Sequence, residues 1–363
     1  MKILVTGGAG FIGSNFVRLL VESKLAQKII VLDSLTYAGN LQNLAGLEQQ
    51  IEFVHGKIQD DTLVKSLFEK GITHVAHFAA ESHVDRSIHE PDAFIETNII
   101  GTHSLLKAAR AAWKDFAGKK FLHVSTDEVF GSLAPHDPAF HEKTPYSPNS
   151  PYAASKASSD HLVRAYHHTY GLPTLISNCS NNYGSFQFPE KLIPLMIVNI
   201  LEGKKLPIYG DGKQIRDWLH VSDHCAALLK ILQNGVIGET YAIGGRNEVA
   251  NIDIVDSLCD ILDGLMAKDT GLKSRFPNCP AAKGASAKTL KHNVADRLGH
   301  DRRYAINADK IESALGFSPK ENLKSGLQKT VHWYLENEDW WRNVLNGSYR
   351  QWIEKNYLDR GKA

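Results

Sequence analysis

Two pairs of side chains in the chain have the residue types and the spacing for proton-transfer chemistry. The first pair is Tyr152 and Lys156, which are four residues apart and would share one face of a helix. A lysine ammonium beside a phenol stabilises the phenolate, so we expect the pKa of Tyr152 to fall from about 10 toward the range of a general base. Tyr152 is therefore a candidate proton abstractor, although this spacing also occurs on ordinary solvated helix faces.

The second pair is Asp127 and Glu128, which follow an apolar run at residues 121–124. This run predicts a buried strand, so the two carboxyl groups lie where that strand ends. Surroundings that separate the pKa values of two neighbouring carboxyl groups supply one acid and one base. Adjacent acidic residues are also common in turns, and both pairs gain their weight from a cofactor motif upstream.

That motif opens the chain, where a β-branched run is followed by a glycine-rich stretch at residues 7–13 and a helical pattern. In this context a G-x-G-x-x-G sequence predicts a dinucleotide site. Gly8 would permit the tight turn, Gly10 would let the backbone approach a pyrophosphate, and Gly13 would allow close packing of the helix. Gly7, Gly10 and Gly13 equally fit a G-x-x-G-x-x-G spacing, so the register is left open.

An acidic residue follows the second predicted strand. Residues 28–32 form this strand, and Asp33 comes twenty residues after Gly13. A carboxylate at this position accepts hydrogen bonds from the adenosine ribose hydroxyls and repels a 2′-phosphate. The sequence thus favours NAD over NADP.

The elements that must position these residues alternate between strands and helices. Repeated βα units predict an α/β fold, a Rossmann-type doubly wound parallel sheet with helices on both faces. Ligands of such a sheet lie outside the carboxyl ends of the strands. We predict strands at 2–6, 28–32, 52–54, 74–78, 121–124 and 173–177, and helices at 62–70, 93–113 and 152–170.

The second half of the chain is less regular and predicts a smaller C-terminal α/β substrate domain. We divide the chain into an NAD-binding domain at 1–185, to which some later segments return, a substrate-binding domain at 186–345 and a tail at 346–363. Residues 267–293 have weak periodicity and predict a long surface excursion. Residues 323–341 predict one amphipathic helix.

Composition limits the possible partners of the protein. The chain has 363 residues, 43% of them hydrophobic, and a net charge of +1, which predicts a sizeable core and no binding to nucleic acid or to a membrane. The four cysteines have no disulfide or metal spacing and the N-terminal sequence has no signal-peptide pattern, so we expect a cytoplasmic protein. No metal site is predicted, because His220 and His224 lack a third ligand nearby.

Together these motifs resemble a known family. The glycine motif, Asp33, Ser125-Thr126 and the Tyr152/Lys156 pair look like the extended short-chain dehydrogenase/reductase superfamily, whose members act on nucleotide sugars. Within it, the chain closely resembles the dTDP-glucose 4,6-dehydratase family at residues 80–87, 125–131, 178–184 and 214–218. The resemblance implies a hydro-lyase of deoxysugar biosynthesis, typically a homodimer, that converts dTDP-glucose to dTDP-4-keto-6-deoxyglucose and water with catalytic NAD.

The resemblance also implies catalytic roles. Tyr152, helped by Lys156 and Thr126, would take the proton from the sugar C4 hydroxyl as a hydride passes from C4 to NAD. Glu128 would then remove the acidified C5 proton, and Asp127 would protonate the departing C6 hydroxyl. The hydride would return to C6, which makes the net reaction redox-neutral.

The binding residues of the family carry over onto the matching positions of this chain. The expected NAD site consists of Gly7, Gly10, Phe11, Ile12, Gly13, Asp33, Ser34, Leu35, Thr36, Ile58, Ala79, Ala80, Glu81, Thr97, Tyr152, Lys156 and Asn182. The expected nucleotide-sugar site consists of Ser82, Thr126, Asn181, Lys191, Leu192, Pro207, Ile208, Tyr209, Arg216, Asn251, Asp296, Arg297, Gly299 and His300. Arginine suits a diphosphate because the guanidinium group is a fork-shaped donor.

Two positions depart from the family pattern. Lys57 stands where the family has an acid near the adenine, and a lysine cannot accept a hydrogen bond from the adenine amino group. This predicts weaker NAD binding, or binding helped by a neighbour such as Asp60. Leu298 replaces a proline and frees a backbone torsion in a substrate loop.

Two other functions fit part of the pattern. A nucleotide-sugar 4-epimerase would use Thr126, Tyr152 and NAD but would need no acid and base for elimination, so the Asp127-Glu128 pair argues against it. A non-enzymatic dinucleotide sensor would not need Tyr152 and Lys156. The sequence leaves open the nucleobase, the pathway, and whether the two long helices pack against a second subunit or within the chain.

Overall fold

The computed structural model describes residues 1–296 and 299–345, in which strands and helices alternate from the N-terminus. Within them the strands are β1 (Lys2–Thr6), β2 (Lys28–Asp33), β3 (Glu52–His55), β4 (His74–His77), β5 (Lys120–Thr126), β6 (Thr174–Cys179), β7 (Asn181–Tyr183), β8 (Leu206–Tyr209), β9 (Ile215–His220), β10 (Thr240–Ile243), β11 (Glu248–Ala250) and β12 (Lys291–Val294). The α-helices are α1 (Phe11–Ser23), α2 (Asp61–Phe68), α3 (Val84–His89), α4 (Pro91–Phe94), α5 (Thr102–Ala112), α6 (Pro151–Tyr170), α7 (Leu192–Glu202), α8 (Val221–Asn234), α9 (Asn251–Lys268), α10 (Thr270–Arg275), α11 (Asp309–Leu315), α12 (Leu323–Glu336) and α13 (Glu338–Leu345).

The main sheet has seven parallel strands in the order β10-β6-β5-β4-β1-β2-β3. Its central strands are buried on both faces: Ile3 and Val5 of β1 pack into one hydrophobic cluster, and Leu4 between them packs into another. Such apolar strands are typical of a parallel sheet that helices cover on both sides. The predicted Rossmann-type α/β fold is confirmed.

The order of strands reverses between β1 and β4, and this reversal opens a crevice at their carboxyl ends. The loop from β1 to α1 and the loop after β4 border the crevice, and β5 ends beside β4 with Thr126 as its last residue. The predicted candidate residues of the first half therefore meet along one edge of the sheet.

A later segment of the chain also joins the main sheet. Helix α8 packs on α1 in the same hydrophobic cluster, and β10 pairs with β6 from Thr240 to Ile243. This segment lies beside the residues that we assign to the first domain, although it follows residue 185 in sequence. The boundary at residue 185 stays a prediction.

The rest of the chain builds a second cluster around α7, α9, α12 and α13. Two small sheets accompany it, in the orders β11-β9-β7 and β12-β8. Among the residues that the structure describes, no helix has both the length and the apolar content that a bilayer crossing requires. The tail that we predict at 346–363 lies outside the described residues.

Two expectations about secondary structure were wrong, and a third, for a helix, is confirmed with a local irregularity. Residues 267–293 hold α10, two short 3-10 turns and most of β12, and Phe276 and Cys279 are buried; these elements are too short to show a hydrophobic period. The helix expected at 323–341 is two helices, α12 and α13, with Asn337 between them. The helix expected at 93–113 contains a π-helical segment, Ile95–Gly101, between α4 and α5.

The contact between α8 and the sheet gives a stability prediction. Leu228 is fully buried, and Leu228→Ala should lower the free energy of unfolding by about 2–5 kcal/mol because it removes apolar contacts and leaves a cavity. Val236→Ala is the matched control, since the Val236 side chain is 62% exposed. Urea denaturation measures the stability of both variants. Equal midpoints for the two would contradict the packing of Leu228 between α8 and the sheet.

Candidate active site

A cavity of about 570 Å³ opens at the carboxyl ends of β1, β2, β4 and β5. Both pairs of candidate catalytic residues line it, together with Thr126. The structure therefore brings all five predicted catalytic residues to one place. Their roles in the reaction stay predictions.

The glycine-rich turn forms one end of the cavity. Gly7 has a φ of 71° and its N–H donates to Leu32 O over 2.8 Å, while Gly10 N–H donates to Gly7 O over 3.2 Å. A Cβ on Gly13 would lie 2.2 Å from Gly7 O, and one on Gly7 would lie 2.6 Å from Ala79 N. The left-handed residue is Gly7 and not Gly8 as predicted, so the G-x-x-G-x-x-G spacing is the one that shapes this turn.

Asp33 lies at the same end and is almost fully buried. Its Oδ2 accepts from Ala9 N–H over 2.9 Å and its Oδ1 accepts from Leu35 N–H over 2.8 Å. Burial raises the pKa of this carboxyl and the two backbone donors oppose the shift. The carboxylate thus holds the glycine turn to the loop after β2, in addition to facing the cavity.

Helix α6 presents Tyr152 and Lys156 to the cavity. The helix begins at Pro151, where Ser150 Oγ accepts from Ala153 N–H, so Tyr152 lies in the first turn. Lys156 Nζ donates to Val124 O of β5 over 2.9 Å. This hydrogen bond ties the helix to the strand that ends in the two acids.

The expected fall in the pKa of Tyr152 is wrong for this structure. Burial raises the pKa of Tyr152 well above its ordinary value, with further increases from the Glu128 carboxylate and Cys179; a hydrogen bond with Thr126 opposes them. Desolvation of the phenolate is the largest of these effects because Tyr152 is enclosed. The phenol is therefore protonated here, and the hydrogen bond with Thr126 is the local contribution that favours its ionised form.

The two acids lie in a 3-10 turn, Asp127–Phe130, at whose start Thr126 Oγ1 accepts from Glu128 N–H over 3.2 Å. Asp127 is 2% exposed. Burial raises its pKa well above the ordinary range, the Glu128 and Asp217 carboxylates add to the shift, and the Arg216 guanidinium opposes it. The protonated form of Asp127 is thereby favoured, which is the form that a proton donor needs.

Most residues of the expected NAD site line this cavity. Leu35 is absent from the lining and instead binds Asp33 through its N–H. The residues that do line it are Gly7, Gly10, Phe11, Ile12, Gly13, Asp33, Ser34, Thr36, Ile58, Ala79, Ala80, Glu81, Thr97, Tyr152, Lys156 and Asn182. Lys57 also lines the cavity, whereas Asp60 caps α2 through a bond from Leu63 N–H to its Oδ1.

The expected nucleotide-sugar residues fall into two groups. Ser82, Thr126, Asn181 and Lys191 line the cavity. The others lie outside its lining: Leu192 at the start of α7, Pro207, Ile208 and Tyr209 on β8, Arg216 on β9, Asn251 at the start of α9, and Asp296, Gly299 and His300 beyond β12. Arg297 and Leu298 lie outside the described residues.

Hydrogen bonds connect residues of the second group to one another and to their neighbours, and Arg216 acts electrostatically on Asp127. Asp296 Oδ2 accepts from Gln214 Nε2 over 2.9 Å, and its Oδ1 lies 2.6 Å from His300 Nδ1. Arg216 is buried, with a nitrogen donating to Asp301 O over 2.8 Å and its guanidinium 4.2 Å from the Tyr304 ring centre. The Arg216 guanidinium on β9 lowers the pKa of Asp127 against the larger effect of burial, which connects this group to the acids in the cavity.

Sequence reasoning missed several residues that shape the site. Gln187, Phe188 and Glu190 line the cavity from the segment before α7. Glu190 Oε1 accepts from Tyr37 OH over 3.2 Å, which joins this segment to the loop after β2. None of these belongs to a motif with its own periodicity or spacing, so only the fold could bring them together.

The two histidines considered as metal ligands make other contacts. His220 Nδ1 lies 2.7 Å from Ser222 Oγ, and His224 Nδ1 lies 2.9 Å from Asn182 Oδ1. Each ring is therefore held in place by a neighbouring polar side chain.

Comparison with known proteins matches this geometry to a family. A family model described as GDP-mannose 4,6 dehydratase matches residues 4–330. The dTDP-glucose 4,6-dehydratase of Shigella flexneri is 52% identical, with 99% of this chain and 100% of that protein covered. The chain belongs to the dTDP-glucose 4,6-dehydratase family.

Solved structures agree with this membership. The dTDP-glucose 4,6-dehydratase from Streptomyces venezuelae, solved with NAD and TYD bound, is 46% identical and has a TM-score of 0.85 over 95% of this chain and 100% of its own. A UDP-glucose 4-epimerase from Thermus thermophilus, solved with NAD, is 26% identical with a TM-score of 0.79 over 93% and 100%. The dehydratase family is thus nearer in sequence, while the epimerase shares the fold.

The glycine turn gives a binding prediction. In Gly13→Ala the new Cβ would press on Gly7 O, which should cost about 1–3 kcal/mol of stability through overpacking and weaken dinucleotide binding by distorting the turn. Gly264→Ala is the control, because a Cβ at this position in α9 meets nothing within 4 Å. This variant should raise the free energy of unfolding by about 0.5–1 kcal/mol and leave NAD affinity unchanged. Calorimetric titration with NAD measures affinity, and an unchanged affinity in Gly13→Ala would refute the assigned cradle.

The protonated Asp127 gives a pH prediction. Its folded pKa is raised, so the wild type loses stability as pH rises from the unfolded value of about 4 toward the folded value. Asp127→Asn should therefore melt at a higher temperature than the wild type at pH 7, and the gain should vanish near pH 4. Asp92→Asn, at an exposed carboxyl, should not show this gain. An Asp127→Asn variant that is less stable at pH 7 would contradict the assigned protonation state.

Proposed function

We propose that this protein converts dTDP-glucose to dTDP-4-keto-6-deoxyglucose and water, with NAD as a catalytic cofactor. The observation that carries the proposal is the position of Asp127 and Glu128 in the same cavity as Tyr152 and Lys156. Oxidation at C4 needs only the tyrosine and its helpers, whereas elimination of water needs an additional acid and base. This cavity holds both sets.

The residues present fit NAD. The close approach of Gly7, Gly13 and Ala79 leaves backbone surface where any larger side chain would intrude, as a pyrophosphate site requires. Further along the cavity, the buried Oγ of Ser125 and Oδ1 of Asn181 have no hydrogen-bond partner in the part of the chain that the structure describes. Buried polar atoms of this kind are normally satisfied by a ligand or by water.

The mechanism gives each of these side chains one proton transfer. NAD held by the glycine turn and Asp33 would supply the hydride acceptor for C4 and the hydride donor for C6. Tyr152 takes the proton of the C4 hydroxyl once its phenol has ionised, and Lys156 and Thr126 are placed to favour that ionised form. The new C4 carbonyl makes the C5 proton acidic, so Glu128 can remove it, and the protonated Asp127 donates its proton to the C6 hydroxyl as water leaves.

An epimerase is the second candidate, and it is less supported. The UDP-glucose 4-epimerases among the solved structures are 26% and 27% identical to this chain, against 45% and 46% for dTDP-glucose 4,6-dehydratases. An epimerase does not eliminate water, so it has no use for the Asp127-Glu128 pair as an acid and a base at C6 and C5. A sensor without catalysis leaves the buried Tyr152 and Lys156 equally unexplained.

The function is tested by Glu128→Gln, which keeps the shape of the side chain and removes the base. Wild-type protein with dTDP-glucose should release a dehydrated 4-keto sugar, seen by mass spectrometry. The variant should still oxidise C4, so that borodeuteride traps a sugar labelled at C4, but should lose water slowly because the C5 proton stays in place. Glu69→Gln, at an exposed helix end, should behave as wild type.

Either of two results would contradict the assignment. A wild-type product that is a 4-epimer without loss of water would replace the dehydratase with the epimerase. Full dehydration by Glu128→Gln would leave the reaction class in place and remove Glu128 as the C5 base.

We also propose that the protein is a cytoplasmic homodimer. Ile95 and Ile100, on the π-helical segment before α5, are 45% exposed, and Tyr170 at the end of α6 is 41% exposed. A second copy would cover these apolar side chains. Sedimentation velocity should give twice the chain mass, with Ile100→Glu shifting it toward the monomer; a monomeric wild type would contradict the proposal, and cell fractionation tests the location.

A further inference from the structure

A buried carboxylate lies directly behind the Tyr152–Lys156 pair. Asp160 follows Lys156 by four residues on α6, so the two side chains share one face of the helix. Asp160 is 0% exposed and Lys156 is 4% exposed. Asp160 does not line the cavity, and no step of the mechanism above uses it.

The neighbours of Asp160 hold its carboxylate in one orientation. Its Oδ2 accepts from Tyr146 OH over 2.8 Å and from Asn178 Nδ2 over 3.1 Å. Its Oδ1 lies 3.1 Å from His123 Nε2 on β5. An ionised carboxylate in such an enclosed place requires a balancing charge, because burial of an unpaired ion is costly.

The histidines nearby do not supply that charge. Burial lowers the pKa of His123 to about 4, with a further decrease from the Lys156 ammonium. His77, whose ring centre is 5.1 Å from that of His123, also has a pKa well below its ordinary value because of burial. Both rings are neutral at neutral pH.

Among the described residues, the cations that remain around Asp160 are Arg164 and Lys156. Arg164 donates to Tyr146 OH over 2.9 Å, so it reaches the carboxylate only through the phenol. Lys156 lies one helical turn from Asp160: burial lowers the pKa of Lys156, and Asp160 is the largest of the effects that oppose this decrease, ahead of Cys179. Despite burial, which would raise it, the pKa of Asp160 is lowered first by its interaction with His123 and then by the Lys156 ammonium. The ammonium that serves Tyr152 thus has its counter-ion on the side away from the cavity.

Asp160 is also connected to the end of β5. Asn178 Nδ2 donates both to Asp160 Oδ2 and to Thr126 O, each over 3.1 Å. The carboxylate accepts hydrogen bonds only, so it fixes which end of the Asn178 amide faces it. That orientation directs the same amide nitrogen at the backbone of Thr126, whose hydroxyl donates to Asp127 Oδ1 over 3.3 Å and acts to lower the pKa of Tyr152.

We propose that Asp160 is a positioning residue for the reaction, which balances the charge of the Lys156 ammonium and, through Asn178, holds Thr126 in place. The proposal rests on the proposed function, since it assigns Asp160 a role behind the same Tyr152. The five predicted catalytic residues all line the cavity, and Asp160 would be a charged group that supports them from outside it.

The test compares pH profiles of dTDP-glucose dehydration by the NAD-loaded enzyme. Asp160→Asn removes the charge and keeps the shape, so Lys156 should lose its proton more readily. The alkaline limb of the kcat profile should move about one pH unit to lower pH, so that kcat falls about tenfold at a pH above both limbs, while KM for dTDP-glucose stays near the wild-type value. Asp160→Ser is a second neutral variant with the same expected shift of the limb.

Tyr146→Phe is the matched control. It removes a hydrogen bond to the same Oδ2 and leaves the charge of Asp160, so it should lower the melting temperature without moving the alkaline limb. The proposal is overturned if the neutral variants keep the wild-type limb, if Tyr146→Phe moves it equally, or if neither neutral variant folds, since the role assigned is one of charge. An inactive wild type would instead refute the proposed function.

Discussion

The hydrogen bond from Lys156 Nζ to Val124 O joins the two elements on which the site depends. It fixes the first turns of α6 against the last residues of β5, so Tyr152 on the helix and the acids after the strand face one cavity. The sheet makes this contact possible, because β5 is paired on both sides, with β4 and with β6. A strand held in that way gives the acids little freedom to move.

Burial then sets the protonation states of the site. The same desolvation that raises the pKa of Asp127 also raises that of Tyr152, yet the two effects serve different purposes. A protonated carboxylic acid is ready to donate, whereas a protonated phenol must be helped to ionise. Lys156 and Thr126 are the groups placed to help it, and Asp160 and Asn178 lie behind them. The site therefore depends in part on Asp160, a charged side chain that does not line the cavity.

Most of the fold could be predicted from the sequence. The six parallel strands of the first half lie within a few residues of the predicted positions, because buried apolar runs and glycine turns are local signals. The return of β10 to the main sheet has no local signal of position, since its four residues could pair with any free edge. The elements between α9 and β12 are shorter than a hydrophobic period and were therefore missed.

The site was predictable where residue spacing reports geometry. Tyr152 and Lys156 share a helix face because of their spacing, and the glycine stretch could only be a turn. The choice of Gly7 over Gly8 for the left-handed residue depends on how closely Ala79 approaches from the end of β4, which no local pattern records. The pKa of Tyr152 was predicted in the wrong direction because spacing gives the neighbour of a group and not the extent of its burial.

The central claim is that one cavity oxidises, dehydrates and reduces the same sugar. Its most direct test is the turnover of dTDP-glucose that carries deuterium at C4, mixed with unlabelled dTDP-glucose, with the products analysed by mass spectrometry and NMR. The deuterium of each labelled molecule should appear at C6 of its own product, with water lost and no label in products from unlabelled substrate. Deuterium that stays at C4, or that is lost to solvent, would contradict it.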